Sequence, residues 1–219
     1  MGSCAESSGP RQPVVDVVGV VLAGGHSSRM GRSKAHLPIA GEPLLRRVVR
    51  RLRTALSDVL VVGPPELASL VPEVAVIPDT RPGMGPLAGL EAALSAIAAR
   101  DAFVVACDMP FVAPPLVAAM ATQALAAPEY DVVALRSAHG LEHLHAVYAP
   151  TCLASVTDAL DRGDRSLHSL LARLRTLEIS PAEASSYDPA GLSAFNANAP
   201  DEWTRALTLA DGEYSGSQR

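Results

Sequence analysis

No apolar run in this 219-residue chain approaches the roughly 20 residues that a bilayer-spanning helix needs. The longest, such as residues 17–23, are broken by Gly or charge, so no membrane partner is expected. Cysteine is equally scarce. Cys4, Cys107 and Cys152 make an odd number with no CxxC pair, which gives neither a paired-cysteine zinc site nor a disulfide framework and suits a reducing, cytoplasmic location. Positive charge is not in excess, since 18 Lys and Arg stand against 23 Asp and Glu for a net charge of −5. The overall basic footprint of a nucleic-acid binder is missing, and no nucleic-acid partner is expected. Residues 1–13 are polar and lack the basic and apolar regions of a secretory leader, and Glu6 stands where a myristoylation motif requires Ser or Thr. They read as a flexible tail, as do residues 211–219.

What remains is 48% hydrophobic, enough to build one sizeable core, and residues 14–210 read as a single domain. Short β-branched runs at 17–22, 59–62, 74–77 and 103–106 alternate with helical patterns at 43–56, 87–100 and 114–126, with Pro near the first turn as a start signal. This alternation implies an α/β doubly wound, mostly parallel sheet, in which ligands bind beyond the carboxyl ends of the strands. The second half is less regular. Residues 132–135 and 143–148 pair around a turn at His139-Gly140 and suggest a mixed sheet edge; 153–160 and 167–174 look helical, 176–179 adds a strand, and 200–209 forms a last helix. Within the first helical pattern, Leu44, Leu45, Val48, Val49, Leu52 and Leu56 recur at helical spacing, while Arg46, Arg47, Arg50, Arg51 and Arg53 fall mainly on the other face. A solvated helix face is favoured there over a partner-docking surface.

The strongest chemical signal follows the first strand: Leu22-Ala23-Gly24-Gly25-His26-Ser27-Ser28-Arg29-Met30-Gly31-Arg32-Ser33-Lys34. Adjacent glycines let backbone N–H groups approach an anion. The segment fits neither GxGxxG, in spacing, nor GxxxxGK[ST], because Lys34 does not follow the last Gly. Arg29 and Lys34 add fixed positive charge suited to a triphosphate whose leaving group is pyrophosphate. Elsewhere, Asp108 ends the fourth strand and Asp79 the third, each open to a bland reading as a cap. Gly85 and Gly89 frame a turn that opens a helix, where free N–H groups face a ligand. Asn196 and Asn198 alternate on an extended segment, so both amides can point one way, with helix capping the rival for Asn198. His143 and His145 also alternate on a strand, with His139 nearby; no carboxylate stands at ligand spacing, and polar strand or substrate-pocket roles are favoured over a metal.

The sequence LAGGxSxRMGxxK followed by LPIAGEPLL resembles the N-terminal signature of the sugar-nucleotide and cofactor nucleotidyltransferases, which implies a Rossmann-like three-layer fold of the nucleotide-diphospho-sugar transferase type. Within that superfamily Ile77-Pro78-Asp79, Gly85-Pro86-Leu87-Ala88-Gly89-Leu90, Cys107-Asp108-Met109-Pro110-Phe111 and Phe195-Asn196-Ala197-Asn198-Ala199-Pro200 are similar to the molybdenum cofactor guanylyltransferases. The resemblance runs in order from about residue 17 to about residue 207. It implies transfer of GMP from GTP to molybdopterin, giving the guanine dinucleotide form of the molybdenum cofactor and pyrophosphate. It implies that Asp108 holds Mg²⁺, that Leu22, Ala23, Gly24 and Gly25 meet the nucleotide through their backbone, and that Asp79 lies on its ribose or metal side. The Gly85–Gly89 loop is implied near the base, with Asn196, Asn198 and Arg165 at the molybdopterin end. Hard oxygen ligands suit Mg²⁺, which needs few protein carboxylates when phosphates share it. One departure concerns the base: where the family often has Asn after the second strand, this chain has Val62-Gly63-Pro64-Pro65.

The reaction so implied is direct attack of the acceptor phosphate on the α-phosphorus, with Arg29 and Lys34 stabilising charge and no general base nominated. A CTP-dependent cytidylyltransferase with the same loop is the rival enzyme. A nucleotide-binding adaptor that delivers cofactor through the arginine-rich helix is the rival from another class, and proteins that insert the cofactor into enzymes are the partners it would serve. A dehydrogenase is disfavoured by the missing GxGxxG.

Overall fold

The computed structural model describes residues 14–24, 33–97, 99–127 and 129–216. It opens with β1 (Val14–Leu22), whose Val17 and Val21 are buried on one side of the sheet and whose Val18, Val20 and Leu22 are buried on the other. A strand that loses both faces to the core must sit inside a sheet. After a 3₁₀ turn at Lys34–His36, β2 (Pro38–Ile39) and β3 (Glu42–Pro43) form a small antiparallel hairpin. Its two-residue turn places Ala40 and Gly41 both at positive φ, 48° and 78°, the geometry that matches strand twist. Helix α1 (Leu44–Ala55) follows and runs directly into β4 (Leu56–Val62). Then come β5 (Ala75–Ile77), α2 (Pro86–Ala96), β6 (Asp101–Ala106) and α3 (Pro114–Ala126), the two helices each opened by Pro in the first turn.

The second half adds β7 (Val132–Ser137), β8 (Gly140–Tyr148), α4 (Cys152–Asp161), α5 (Leu167–Leu171), β9 (Thr176–Ile179), α6 (Pro181–Ser185) and α7 (Pro200–Gly216). Among the described residues the main sheet has seven strands in the order β5-β4-β1-β6-β8-β7-β9. Only β8 runs antiparallel to its neighbours in it. The chain steps from β1 outward through β4 to β5 and then returns to β6 on the other side of β1, so the order reverses between β1 and β6. The core on one face includes α1 and α3, and the core on the other includes α2 and α4, which makes the three-layer α/β architecture expected from the sequence. No helix among the described residues is long and apolar enough to cross a membrane.

Several local expectations need correction. The antiparallel strand is interior, between β6 and β7, rather than at an edge. Its hairpin turns at Ala138-His139, one residue before the expected position, because Ser137 Oγ accepts from His139 N and Gly140 already pairs with Ser137. Helix α2 stops at Ala96, since Ala99 turns to φ 64°. Residues 211–216, expected in the tail, continue α7. Helix α6 was not expected; Ser180 and Glu183 close a reciprocal capping box at its start.

The arginine face of α1 also differs. Arg46, Arg50 and Arg53 are exposed, but Arg47 is only 4% exposed and Arg51 is half-buried. Both reach across to main-chain carbonyls of the segment after β6, Arg47 Nε donating to Pro110 O at 2.9 Å and Arg51 Nε to Val112 O at 2.7 Å. Nor do His143 and His145 share a face. The β7–β8 register shifts between Ala134 and Arg136, and this irregularity breaks the period of two. His143 meets the His168 ring of α5, with centroids 5.6 Å apart, while His145 packs edge-on against Phe103 on the opposite side.

His145 is fully buried, its Nε2 lies 2.6 Å from Ser193 Oγ, and Nδ1 has no hydrogen-bond partner among the described residues. Burial pushes its pKa down to about 4, against smaller opposing effects that include the Asp188 charge. The unfolded chain, with His near 6.5, therefore takes up a proton that the folded chain refuses. The stability held by neutral His145 is complete above that value and is lost as pH falls toward 4. Between pH 7 and pH 5 the parent chain should lose about 2 kcal/mol more than His145→Gln. Urea unfolding followed through the single Trp203 measures this, and equal losses in the two proteins would contradict it.

Candidate functional site

The carboxyl ends of β4, β1 and β6 are level: Leu22 lies opposite Val62 on one side and Ala106 on the other. The ladder continues one step further, with Ala23 N donating to Val62 O, Gly63 N to Ile77 O, and Cys107 N to Leu22 O, at 2.8, 2.9 and 3.0 Å. Three loops therefore leave the sheet side by side at the point where strand order reverses, the place where open α/β sheets bind ligands. A cavity of about 970 Å³ opens there, large for a small-molecule site and roomy enough for two substrates.

Leu22, Ala23, Gly24, Lys34, Asp79, Gly85, Gly89 and Asp108 line it. Asn196 and Asn198 line it from the segment before α7. Ten of the residues nominated from sequence thus meet in one cavity. Arg29 and Gly25 lie outside the described residues. Arg165 does not line the cavity; its guanidinium donates to Gly83 O at 3.2 Å, on the lip.

Lys34 Nζ donates to Asp108 Oδ2 at 2.9 Å and to Asn198 Oδ1 at 2.7 Å. The Lys34 and Asp108 side chains remain 21% and 18% exposed, so this ion pair is reachable from the cavity. The Asn198 side chain thus engages Lys34. The start of α7 is capped from the other direction, by Glu202, whose carboxylate accepts from Asn198 N and Ala199 N at 2.7 and 2.8 Å. Main chain reinforces the join, as Ala197 N donates to Asp108 O at 2.9 Å. The asparagine segment is therefore tied to the Asp108 loop by backbone and to Lys34 by side chain.

The Asp79 carboxylate accepts from Arg81 N at 2.8 Å, the loop-capping role, while its residue lines the wall. Arg81 itself ties that loop to Glu91 of α2 and Asp161 of α4, at 2.9 and 2.6 Å. Gly85 adopts φ 77° immediately before Pro86, and both residues line the cavity at the start of α2. At Gly89 a Cβ would approach Leu22 Cδ2 to 3.2 Å. The absent side chain lets α2 close on β1 at the cavity wall.

The cavity is also lined by Glu142, Leu144 and Leu167, which the sequence does not single out, and by His143, for which it allows a substrate-pocket role. The irregularity that turns His143 away from His145 has no sequence signature. Burial, then the neighbouring His168, lowers its pKa, with Glu142 opposing. A neutral ring with one donor and one acceptor is thus favoured there. Gly63 and Pro64, noted as the departure after the second strand, also line the site. They offer no side-chain hydrogen-bonding group to a base.

Comparisons with known proteins agree with this geometry. The sequence model described as "MobA-like NTP transferase domain" matches residues 19–178. A probable molybdenum cofactor guanylyltransferase of Pelotomaculum thermopropionicum is 32% identical over 93% of this chain and 98% of its own length. A molybdenum cofactor guanylyltransferase of Xanthomonas euvesicatoria is 36% identical over 86% of this chain and 93% of its own. Among solved structures, molybdopterin-guanine dinucleotide biosynthesis protein A of Archaeoglobus fulgidus superposes with a TM-score of 0.79 at 26% identity, covering 89% of this chain and 99% of that one. With the fold, the loop positions and these matches in register, the chain belongs to the MobA-like NTP transferase family.

Proposed function

We propose that this protein is a cytoplasmic molybdenum cofactor guanylyltransferase, which transfers GMP from GTP to the phosphate of molybdopterin and releases pyrophosphate. The observation that carries this reading is the meeting of Lys34, Asp108 and Asn198 in one cavity at the β1–β6 reversal. It joins the residues nominated for the triphosphate to those nominated for the acceptor. The names of the relatives support the choice of nucleotide and acceptor. The two described cysteines, Cys107 and Cys152, are free, buried thiols, in keeping with a reducing compartment.

A divalent cation fits the site only with phosphate help. Among the described residues no three His, Cys, Asp or Glu side chains gather into a protein-only metal cage. A single carboxylate, Asp108, is the donor set expected for Mg²⁺ held mainly by substrate oxygens and water. When bound, Mg²⁺ would neutralise triphosphate charge beside Asp108. The protein's own groups do the rest. Backbone N–H groups of the loop after β1 and of the α2 amino end receive phosphate and base, and Lys34 turns from Asp108 to the triphosphate, where it stabilises charge on the departing pyrophosphate. Arg29 adds charge to the same loop. An oxygen of the acceptor phosphate forms the new bond to the α-phosphorus as the bond to the β-phosphate bridging oxygen breaks. The attacking group is already ionised, so the site needs no base, and positioning supplies much of the rate. Asn196 and Asn198 hold the acceptor end.

Asp108→Ala and Lys34→Ala should each lower pyrophosphate release by about 100-fold or more. Their shared ion pair is partly exposed, so thermal unfolding should shift little in either variant, an effect of about 1 kcal/mol or less. Unimpaired turnover of Asp108→Ala at saturating Mg²⁺ would remove this assignment. With molybdopterin and Mg²⁺ present, GTP should support far faster pyrophosphate release than CTP. Preference for CTP would leave the mechanism and change the product, and release with neither would leave only the nucleotide-binding scaffold.

A further inference from the structure

Asp108 belongs to an irregular loop, residues 107–113, between β6 and α3. Pro110, at its middle, has no N–H to offer, and Pro110, Phe111 and Val112 are all buried. Main-chain carbonyls in such a loop lie outside the sheet ladder and need donors from elsewhere. Arg47 and Arg51, one helical turn apart on α1, provide them at Pro110 O and Val112 O. Arg47 also lies 5.5 Å from the centroid of the Phe111 ring and 3.8 Å from Glu42 Oε1. Burying a guanidinium is expensive, and a Leu or Met on this face of α1 would pack at lower cost. The guanidinium is matched by the Pro110 carbonyl, the Glu42 carboxylate and the Phe111 ring, none of which a Leu or Met could engage in the same way.

The other side of the loop is held as well. Ala113 N donates to Ser193 Oγ at 2.8 Å, Ser193 meets His145, and Ala197 N takes the carbonyl of Asp108 itself. Pro110 is two residues from Asp108, so a displaced Pro110 carbonyl swings the carboxylate through a short, stiff lever. We propose that Arg47 and Arg51 are positioning residues for Asp108: by fixing the carbonyls of its loop they hold its carboxylate where the nucleotide-bound divalent cation meets it. This rests on the assignment of Asp108 as the metal carboxylate.

The test uses the full chain and its Arg47→Met, Arg51→Met and Asp108→Asn variants. Mn²⁺ affinity in the presence of GTP is read by electron paramagnetic resonance, with kcat, the KM for GTP and Trp203-detected unfolding measured beside it. Arg47→Met should weaken Mn²⁺ binding and lower kcat by about 10-fold each, with KM for GTP within about twofold of the parent. A folded Arg47→Met protein with lowered thermal stability but unchanged Mn²⁺ affinity would make the arginine a packing residue and overturn the proposal. Should Arg47→Met fail to fold, Arg51→Met decides: its more exposed side chain should give a loss of about threefold or more in Mn²⁺ affinity, and no loss overturns the proposal. Asp108→Asn separates the two readings. Retained Mn²⁺ binding in that variant would end the metal assignment and this inference together, whereas its loss alongside unaffected arginine variants would end the inference alone.

Discussion

The site depends first on the burial of β1 on both faces between two parallel neighbours. Because Val17 and Val21 are committed to one core and Val18, Val20 and Leu22 to the other, the strand cannot slip by one residue without exchanging its whole apolar set. That register fixes Leu22 opposite both Val62 and Ala106. The loops beginning at Ala23, Gly63 and Cys107 therefore emerge level, each stitched to its neighbour by one further backbone hydrogen bond. The functional residues inherit their alignment from this: Lys34 and Asp108 lie 74 positions apart in sequence, and the sheet brings them together.

Much of this was legible because it follows from repeated simple signals. Short β-branched runs of four to six residues announced the parallel strands, and prolines marked the starts of α2 and α3. The glycine loops, lysine, aspartates and asparagines named ten of the residues that line the cavity. Illegible features depend on individual backbone groups rather than on periodicity. The pattern of α1 correctly divided apolar from basic positions, but it could not reveal that carbonyls at Pro110 and Val112 lacked donors, and so it left Arg47 and Arg51 in solvent. The hairpin at Ala40-Gly41 was passed over because Ala is a poor advertisement for positive φ. The cavity lining at His143 depends on a register shift in β8 that strict alternation cannot foresee.

Asn198 illustrates a competition that sequence could state but not decide. Its position just before a helix made capping a serious rival to a role in the cavity. In the structure Glu202, four residues on, caps the helix start, its carboxylate accepting from the Asn198 and Ala199 N–H groups. With the backbone donors satisfied from that side, the Asn198 amide oxygen is available to Lys34.

The charges near Asp108 are sorted by how firmly each must be held. Lys34 and Asp108 keep about a fifth of their side-chain surface in solvent. Water screens such a pair, so each partner can exchange the other for a phosphate or a cation at small cost. Arg47 is the opposite case. At 4% exposure, loss of its hydrogen bond to Pro110 O would leave a buried acceptor without its donor, so the contact resists exchange. Both kinds of contact lie side by side: an exchangeable ion pair that lines the cavity, and behind it a buried hydrogen bond from an arginine to a main-chain carbonyl. Arg47 and Arg51, one turn apart on α1, carry the second kind to Pro110 and Val112, two and four residues from Asp108.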